Sequence, residues 1–378
     1  MTNVVIAGYA RSPFHPAGKG ALARVRPDDL AAQVVRTLVE RTGVKAEDVE
    51  DIIMGCAFPE GEQGFNVARL VGLLADLPIS VGGMTVNRFC GSSMSAIHIA
   101  AGQIQIGAGE VFICAGIESM SRVPMMGFNP LPNPELAKRS AAYIGMGDTA
   151  ENVAAKYQIS RAEQEAFAVA SQQKAAAAQA AGKLAEEIVP IPTKAGVVDQ
   201  DGTLRPDTTA EGLAGLKPAF SADGTVTAGT SSPLTDGASA VLVTSEDYAR
   251  AHGLPILARV KSVAISGCLP EIMGIGPVEA SRKAMARAGI TADQIDVVEL
   301  NEAFASQSLA CIRDLGLDPA KVNIDGGAIA IGHPLGATGA RIVGKAAALL
   351  KREGGRYALA TQCIGGGQGI ATILEAVE

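Results

Sequence analysis

Four residues in this chain combine a reactive side chain with a glycine-rich or strand-end setting. Cys90 stands in "VNRFCGSSMS", where a glycine and two serines lead into apolar residues at helical spacing. Cys363 lies in "CIGGGQG", His333 in "GHPLGATG" and Asn301 in "LNEAFA". Two thiols, an imidazole and a carboxamide could together supply a nucleophile, a general acid/base and donors to an oxyanion.

Cys90 follows a strand-like segment and precedes a helix-like one. A thiol at a helix N-terminus meets free backbone N–H groups and the positive end of the helix dipole, and both favour the thiolate. We therefore expect a nucleophile with a pKa below the ordinary value of about 8.5. The alternative is a small buried side chain, which is the commoner role of a lone cysteine before a helix.

The loops that hold His333 and Cys363 are stiff or costly to fold. Pro334 is suited to the first turn of a helix after His333, which gives this histidine little reason to serve packing. Three glycines after Cys363 lose much conformational entropy on folding, as expected where the backbone must approach a ligand or an oxyanion. A dinucleotide-binding loop is disfavoured, because the G-x-G-x-x-G pattern and its following acidic residue are missing.

The elements that must position these residues repeat along the chain. Residues 34–58 align without a gap on residues 280–304 at an offset of 246, and each segment reads as helix, glycine turn, short turn and strand. The segments that begin at Cys90 and at Gly336 pair at the same offset. Residues 237–245 resemble 369–377 at an offset of only 132, so the first half carries an insertion between its last two strands.

The repeat predicts an α/β protein of two similar halves. The first half is expected at residues 1–119 plus 236–255, and the second at 256–378. An inserted loop domain is expected at 120–235, because that segment opens with a loop rich in proline and asparagine and continues with a helix over 161–184. An insertion at one sheet edge is typical of a lid or a substrate-binding subdomain.

Composition limits the function classes. The chain has 378 residues, 48% of them hydrophobic, and a net charge of −7 without a block of Lys or Arg, which argues against a nucleic-acid partner.

No apolar run is long enough for a membrane span, and "MTNVVIAGYARSPF" does not read as a leader, so we expect a reducing cytoplasm. The six scattered cysteines predict neither a disulfide framework nor a zinc site. Four of them are expected in strand or helix cores: Cys56, Cys114, Cys268 and Cys311.

Six motifs occur in order along nearly the whole chain: "VNRFCGSSMSAIH", "GIESMSRVPM", "VTAGTSSPLTDGA", "LNEAFA", "GGAIAIGHPLGATGAR" and "CIGGGQG". Together they resemble the thiolases. The resemblance implies a duplicated α-β-α-β-α layered fold with an inserted loop domain, which agrees with the repeat. It also implies coenzyme A as a substrate, no permanently bound cofactor and no metal.

The resemblance implies a role for each reactive position. Cys90 resembles the acyl-accepting nucleophile, and Cys363 resembles the general acid/base that moves the α-carbon proton. His333 and Asn301 resemble one oxyanion hole, the asparagine acting through a bound water, and His333 can also take the proton of Cys90. The backbone N–H groups of Cys90 and Gly365 resemble a second oxyanion hole.

Substrate contacts are implied in the same way. Arg205 in "LRPDTT" and Ser232 in "TSSPL" resemble contacts to coenzyme A. Met146 and Met273 resemble residues that border the acyl site, and Phe304 is assigned to substrate binding with them. Gly145 stands where many short-chain biosynthetic thiolases carry a histidine, whereas "NRFCGSS", "AGTSS" and "GQGIAT" are closer to degradative thiolases.

The predicted function is that of an acetyl-CoA C-acyltransferase of fatty acid β-oxidation. It would cleave 3-ketoacyl-CoA with CoA to acetyl-CoA and a shortened acyl-CoA through an acyl-Cys90 intermediate. A biosynthetic acetoacetyl-CoA thiolase is the alternative, and a noncatalytic CoA- or lipid-binding member is disfavoured because all four reactive positions are intact. A decarboxylating condensing enzyme would use two histidines, and Cys363 stands where the second is needed.

We expect a homodimer or homotetramer that acts on CoA thioesters. A multifunctional β-oxidation subunit is a further candidate partner.

Overall fold

The structure, a computed structural model, describes residues 2–377. The strands in this range are β1 (Val4–Arg11), β2 (His15–Pro16), β3 (Asp51–Gly55), β4 (Gly82–Val86), β5 (Val111–Ser119), β6 (Ile191–Thr193), β7 (Gly196–Val198), β8 (Thr235–Ser245), β9 (Ala258–Gly267), β10 (Val297–Leu300), β11 (Tyr357–Ile364) and β12 (Gln368–Glu375). The α-helices are α1 (Pro27–Thr42), α2 (Val67–Leu74), α3 (Ser92–Gln105), α4 (Pro134–Arg139), α5 (Met146–Lys156), α6 (Arg161–Ala180), α7 (Ala210–Ala214), α8 (Glu246–Ala251), α9 (Gly276–Ala288), α10 (Ala305–Leu315), α11 (Ala328–Ile331) and α12 (Thr338–Glu353).

One large sheet runs through the protein in the order β10-β11-β12-β9-β1-β8-β5-β3-β4, with β2 beside β8. β3 pairs in parallel with β4 and β5, and β10 pairs in parallel with β11. The two halves meet where β1 pairs briefly with β9 through Val5 and Ile6. Each half therefore combines parallel strands and crossover helices with antiparallel strands, and the predicted duplication is confirmed.

Apolar cores separate five layers. One core lies between helices α1 and α2 and the strands β3, β5 and β8. A central core packs α3 and α12 between the strands of both halves, and a third packs α9 and α10 against β10, β11 and β12. The α-β-α-β-α layering implied by the resemblance is therefore present.

Equivalent positions in the two halves adopt the same local structure. α3 begins at Ser92 and α12 begins at Thr338, which is the offset of the repeat. Gly43 and Gly289 end α1 and α9, and both have φ of 69° in the left-handed region. Glycine adopts this conformation without a Cβ clash, so the same C-terminal cap closes both helices.

Residues 120–235 leave the sheet after β5 and return to it at β8. The two strands are neighbours inside the sheet, with Ser119 opposite Asp236, so the segment leaves and rejoins the sheet at the same end of this strand pair. It contains α4 to α7 and the small β6–β7 sheet. Its long helix α6 begins with a capping box of Ser160 and Glu163 and ends at Ala180, four residues before the expected end.

The halves differ at one strand. At the offset of the repeat, β4 corresponds to residues 328–332, which form the short helix α11 and its end instead. The buried carboxylate of Glu302 accepts the N–H of Ile329 at 3.1 Å, and it fills the space where a side chain at Gly327 would lie. The chain therefore wraps around this acid, and it leads into the loop that carries His333.

Close backbone contact between α3 and α12 depends on Gly339. A Cβ at this position would lie 2.2 Å from the backbone nitrogen of Met94 on α3. The two helices form the middle layer, so a displacement of one helix from the other would disturb the packing of both halves.

Gly339→Ala is expected to lower the free energy of unfolding by about 1–3 kcal/mol, because the added methyl overpacks the contact between helices. Thermal and urea unfolding followed by circular dichroism would measure the loss. Gly102→Ala is the matched control, since Gly102 lies on α3 with open space around it and alanine favours a helix by up to about 1 kcal/mol. Equal stability of the two variants would contradict the contact.

Candidate active site

Cys90 lies in a single 3₁₀ turn, Phe89–Gly91, that leads directly into α3. The preceding residue, Phe89, has φ of 43°, a left-handed conformation that is strained for a non-glycine residue. Gly91 allows the turn to press against β11, because a Cβ there would lie 2.5 Å from Cδ1 of Ile364. The helix start and its strained turn therefore hold Cys90 against the end of β11.

Backbone N–H groups surround the sulfur of Cys90. Its own N–H and that of Gly365 both stabilise the charged form of the thiol. Burial nevertheless dominates and, with a contribution from the charge of Glu118, raises the pKa of Cys90 to about 12. The expected lowering of this pKa is therefore wrong, because the desolvation cost exceeds the gain from the helix start.

The second thiol lies beside the first. Cys363 is the second-to-last residue of the strand β11, rather than a residue just beyond it. Burial raises the pKa of Cys363 well above its ordinary value, and the charge of Cys90 raises it further. The neighbouring Gln362 donates from Nε2 to the carbonyl of Cys90 at 2.5 Å, so the fold brings both ends of the chain together.

The glycines after Cys363 shape the turn between β11 and β12. Gly366 and Gly367 have φ of 80° and 84°, and a Cβ at Gly367 would lie 2.4 Å from the carbonyl oxygen of Cys268. A Cβ at Gly365 would instead lie 3.6 Å from Met146 Sδ, an ordinary van der Waals distance. Two of the three glycines are thus explained by left-handed backbone, and Gly365 places its N–H beside the sulfur of Cys90.

Asn301 and His333 form a second pair. Nδ2 of Asn301 lies 3.4 Å from Nε2 of His333, and both side chains are buried. Asn301 follows β10, and its backbone N–H donates to the carbonyl of Thr361, two residues before Cys363. His333 is held through Nδ1, which contacts Oγ1 of Thr338 at 2.6 Å. Burial and the charge of Arg341 lower the pKa of His333 to about 3.

An apolar wall lies beside Cys363. Cys363 packs in one buried cluster with Met273 and Phe304, and half-buried Met146 packs against it. Phe304 meets the ring of Phe220 edge-on, with 5.9 Å between centroids. The three apolar residues predicted for substrate binding therefore lie together beside Cys363.

Arg205 and Ser232 lie on the inserted segment. Arg205 is exposed and lines a cleft of about 310 Å³ that is also lined by Lys19 and Ser231. Ser232 donates from its backbone N–H and from Oγ to the carbonyl of Ala303, at 3.0 and 3.1 Å. Ser232 is therefore hydrogen-bonded to the residue before Phe304, while Arg205 is an exposed residue in the lining of the cleft.

Glu118 is a site residue that sequence reasoning missed. Its buried carboxylate accepts the N–H groups of Ala57 at 2.8 Å, Phe58 at 3.3 Å and Gly336 at 2.9 Å, and also the amide of Gln63. It thus ties a loop of the first half to the start of α12 in the second. The available signal was a carboxylate at the end of the apolar run "VFICAGIESM".

The six cysteines are free thiols, but one of the four core assignments is wrong. Cys268 lies half-buried in the loop after β9, because the chain turns there against Gly367. Within residues 2–377, no helix has the length and apolarity that a bilayer crossing requires. The same residues hold no group of three or more His, Cys, Asp or Glu side chains arranged for a metal ion.

The layered fold and the paired thiols define a protein of the thiolase class. The sequence model of the thiolase N-terminal domain matches residues 4–247, and that of the thiolase C-terminal domain matches residues 254–376. The chain therefore belongs to the thiolase family.

Individual relatives are similar over their full length. The chain is 48% identical to a 3-ketoacyl-CoA thiolase of Bacillus subtilis (strain 168), covering 99% of this chain and 100% of that one. It is 49% identical to a 3-ketoacyl-CoA thiolase of Pseudoalteromonas translucida (strain TAC 125), covering 100% of both. The structure of human mitochondrial 3-ketoacyl-CoA thiolase in complex with CoA matches with a TM-score of 0.92 and 39% identity, covering 100% of this chain and 98% of that one.

Alkylation should report the protonated state of Cys90. Because its pKa is raised to about 12, the thiolate fraction is small at neutral pH and should grow about tenfold per pH unit between pH 7 and 9. Iodoacetamide kinetics with peptide mass spectrometry would measure this, with fully buried Cys114 as the unreactive control. A rate that is already flat below pH 7 would indicate a resting thiolate instead.

Proposed function

We propose that this thiolase is an acetyl-CoA C-acyltransferase that cleaves 3-ketoacyl-CoA with CoA, as its full-length relatives are named. The observation that carries the proposal is the convergence of Cys90, Cys363 and the N–H of Gly365 at one buried point. A thioester intermediate requires sulfur as the nucleophile, and the thiol of Cys363 supplies the acid that protonates the departing carbon. The reaction is expected to be a two-stage transfer with ping-pong kinetics.

In the first stage, the sulfur of Cys90 attacks the 3-keto carbon, and its proton passes to His333. The pKa of Cys90 is about 12 and that of His333 about 3, so this transfer is strongly uphill in the ligand-free site. It must therefore be coupled to the attack, when negative charge develops on the substrate beside the imidazole. The C2–C3 bond then breaks, leaving an acyl thioester on Cys90 and an acetyl-CoA enolate.

The enolate carbon takes its proton from Cys363, which suits this role because its raised pKa keeps it a neutral thiol. In the second stage, the Cys363 thiolate removes the proton of a second CoA thiol, which attacks the acyl group on Cys90. Cys90 leaves, recovers its proton from His333, and a shortened acyl-CoA is released. All three groups end in their starting states.

Two sets of donors would stabilise the negative oxygens. The backbone N–H groups of Cys90 and Gly365 point at the sulfur, so they border any carbonyl bonded to it and suit the tetrahedral oxygen. Asn301 and His333 form the other set, with Asn301 acting through a bound water and His333 through its ring nitrogen. Each donor of such a hole is typically worth a factor of about 10²–10³ in rate.

We propose that residues 120–235 form a loop domain that binds coenzyme A, between halves at 1–119 plus 236–255 and at 256–378. The cleft lined by Arg205 supports this, because an exposed guanidinium and Lys19 would meet the phosphates of the nucleotide end. Ser232, bound to the carbonyl of Ala303, lies between that cleft and Phe304 and would guide the pantetheine arm. Met146, Met273 and Phe304 would contact the acyl chain.

A cytoplasmic homo-oligomer is part of the proposal. β4 is the last strand of the large sheet and offers a free edge. Beside it, Phe65 and Ile79 are 93% and 78% exposed, which is unusual for large apolar side chains. A dimer formed by this edge would cover both, and a tetramer or a multifunctional β-oxidation subunit would need further surface.

Mass spectrometry after incubation with acetyl-CoA should find one acetyl group on the peptide that contains Cys90. Cys90→Ala is expected to lose both the adduct and turnover. Cys363→Ala should still be acetylated but should lose thiolysis by about 10²–10⁴-fold, because no acid protonates the enolate carbon. Cys268→Ala is the matched control and should remain active. Near-normal thiolysis in Cys363→Ala would assign that proton to another group.

A chain-length profile separates the proposal from a biosynthetic acetoacetyl-CoA thiolase. The apolar wall of Met146, Met273 and Phe304 is expected to favour C8 to C16 3-ketoacyl-CoA over acetoacetyl-CoA by at least about tenfold in kcat/KM, since each buried CH₂ is worth about 0.8 kcal/mol. Steady-state thiolysis rates over this series would measure it. A preference for acetoacetyl-CoA would favour the biosynthetic alternative, and no acylation with either substrate would favour a binding protein.

A further inference from the structure

His15 lies beside the cleft that Arg205 lines. It begins the short strand β2, and only 9% of the residue is exposed. Two segments supply the charged residues of the cleft: residues 16–21, the Lys19 turn, and residues 200–205, the Arg205 loop. They come from distant parts of the chain, so contacts between them have to fix the distance from Lys19 to Arg205.

The imidazole of His15 hydrogen-bonds to both segments. Nδ1 accepts the backbone N–H of Ala21 at 3.2 Å, and Nε2 lies 3.1 Å from the carbonyl oxygen of Gln200. Because a backbone N–H only donates and a carbonyl only accepts, these contacts define the neutral tautomer with its proton on Nε2. Nδ1 therefore holds the Lys19 turn, and Nε2 holds the Arg205 loop.

The backbones of both segments also pack closely against His15. A Cβ at Gly202 would lie 2.2 Å from Nδ1 of His15, and a Cβ at Gly20 would lie 2.7 Å from Cβ of His15. Both distances are shorter than real Cβ contacts, and neither glycine has a positive φ. Close approach to the histidine, and not an unusual backbone conformation, therefore accounts for a glycine in each segment.

The Arg205 loop is bound a second time, at its base. The N–H of Gly202 donates to the carbonyl of Phe14 at 2.9 Å, and Asp201 accepts the N–H of Phe14 at 2.7 Å. These bonds reach the chain before the Lys19 turn begins, whereas Ala21 lies beyond Lys19. His15 therefore connects the loop to the part of the turn that the bonds of Phe14 do not reach.

We propose that His15 is a positioning residue for the nucleotide end of coenzyme A, because it holds Lys19 and Arg205 in place around one cleft. In this assignment the imidazole touches neither the substrate nor the reacting atoms. Its effect is therefore on the binding of CoA and not on the chemistry at Cys90. The inference rests on the proposed function, which assigns this cleft to CoA.

Three substitutions separate the two hydrogen bonds. His15→Leu removes both. His15→Asn keeps an acceptor for the N–H of Ala21, since its amide oxygen is as many bonds from Cα as Nδ1 is. His15→Gln keeps a donor for the carbonyl of Gln200, since its amide nitrogen is as many bonds from Cα as Nε2 is.

Steady-state thiolysis measures the effect on CoA. His15→Leu is expected to raise KM for CoA at least about fivefold with kcat within about twofold of wild type, because a cleft with unconnected segments is competent to bind for a smaller fraction of the time. The Asn and Gln variants are expected to lie between. His252→Leu is the matched control, since it removes an exposed imidazole that contacts the carbonyl of Tyr248, and it should leave KM unchanged.

A substrate without the nucleotide shows whether the effect is confined to the cleft. A 3-ketoacyl-pantetheine with pantetheine as the thiol carries the reacting groups but would not reach Lys19 and Arg205. Its kcat/KM is expected to be the same in wild type and His15→Leu. An equal loss with both substrates, or an unchanged KM for CoA in a folded His15→Leu, would overturn the proposal. If His15→Leu does not fold, an unchanged KM for CoA in both the Asn and Gln variants would overturn it.

Binding of adenosine 3′,5′-bisphosphate, the nucleotide end of CoA, needs no catalysis. Titration calorimetry is expected to find its Kd raised in His15→Leu by the same factor as KM for CoA. If wild-type protein is never acetylated at Cys90 but nucleotide binding weakens in His15→Leu, the proposed reaction fails and the role of His15 stands. If acetylation occurs but both proteins bind the nucleotide equally, the role of His15 fails alone. Absence of nucleotide binding to the wild type would overturn the role of His15 together with the assignment of the cleft.

Discussion

The site depends on backbone-to-backbone approach in the middle layer. α3 starts against the first-half sheet at Gly55, where a Cβ would lie 2.2 Å from the nitrogen of Ser93, and the turn that leads into α12 lies against Gly116, where a Cβ would lie 2.3 Å from the carbonyl of Gly336. These distances are too short for a Cβ, so side chains at these glycines would push the two helix starts away from the sheet. The turn before α3 would then no longer meet β11, and the N–H of Gly365 would no longer reach the sulfur of Cys90.

Close packing also sets the protonation of the site. Both thiols are desolvated enough that their pKa values rise, even though Cys90 stands at a helix start. Burial lowers the pKa of His333 for the same reason, because its charged form is the cation. The ligand-free site therefore holds three neutral groups, and reactivity has to come from charge that develops on the substrate.

Much of the fold was predictable from hydrophobic periodicity and from the glycines that end helices. The offset of 246 gave the starts of α3 and α12 and the helix-ending Gly43 and Gly289, because local capping chemistry is written in the sequence. The pKa of Cys90 was predicted with the wrong sign, since the degree of burial is a tertiary property that no local pattern reports. The helix α11 was not predicted from the sequence for a related reason. It forms around the buried carboxylate of Glu302, which fills the space beside Gly327 and accepts the N–H of Ile329, and no pattern local to α11 reports this contact.

The repeat also shows how the two equivalent helix starts, those of α3 and α12, differ. At the offset of 246, Cys90, Asn301 and His333 correspond to Gly336, Gly55 and Asn87, and Cys363 corresponds to Ile117. Glu118 corresponds to Ile364, and it accepts the N–H of Gly336 where the other half leaves N–H groups directed at the sulfur of Cys90. At the start of α12, the N–H of Gly336 is occupied by a fixed carboxylate that braces the two halves. At the start of α3, Ile364 stands in the equivalent place and the N–H groups of Cys90 and Gly365 are directed at the sulfur, so a single duplicated scaffold supplies both a structural anchor and the setting of Cys90.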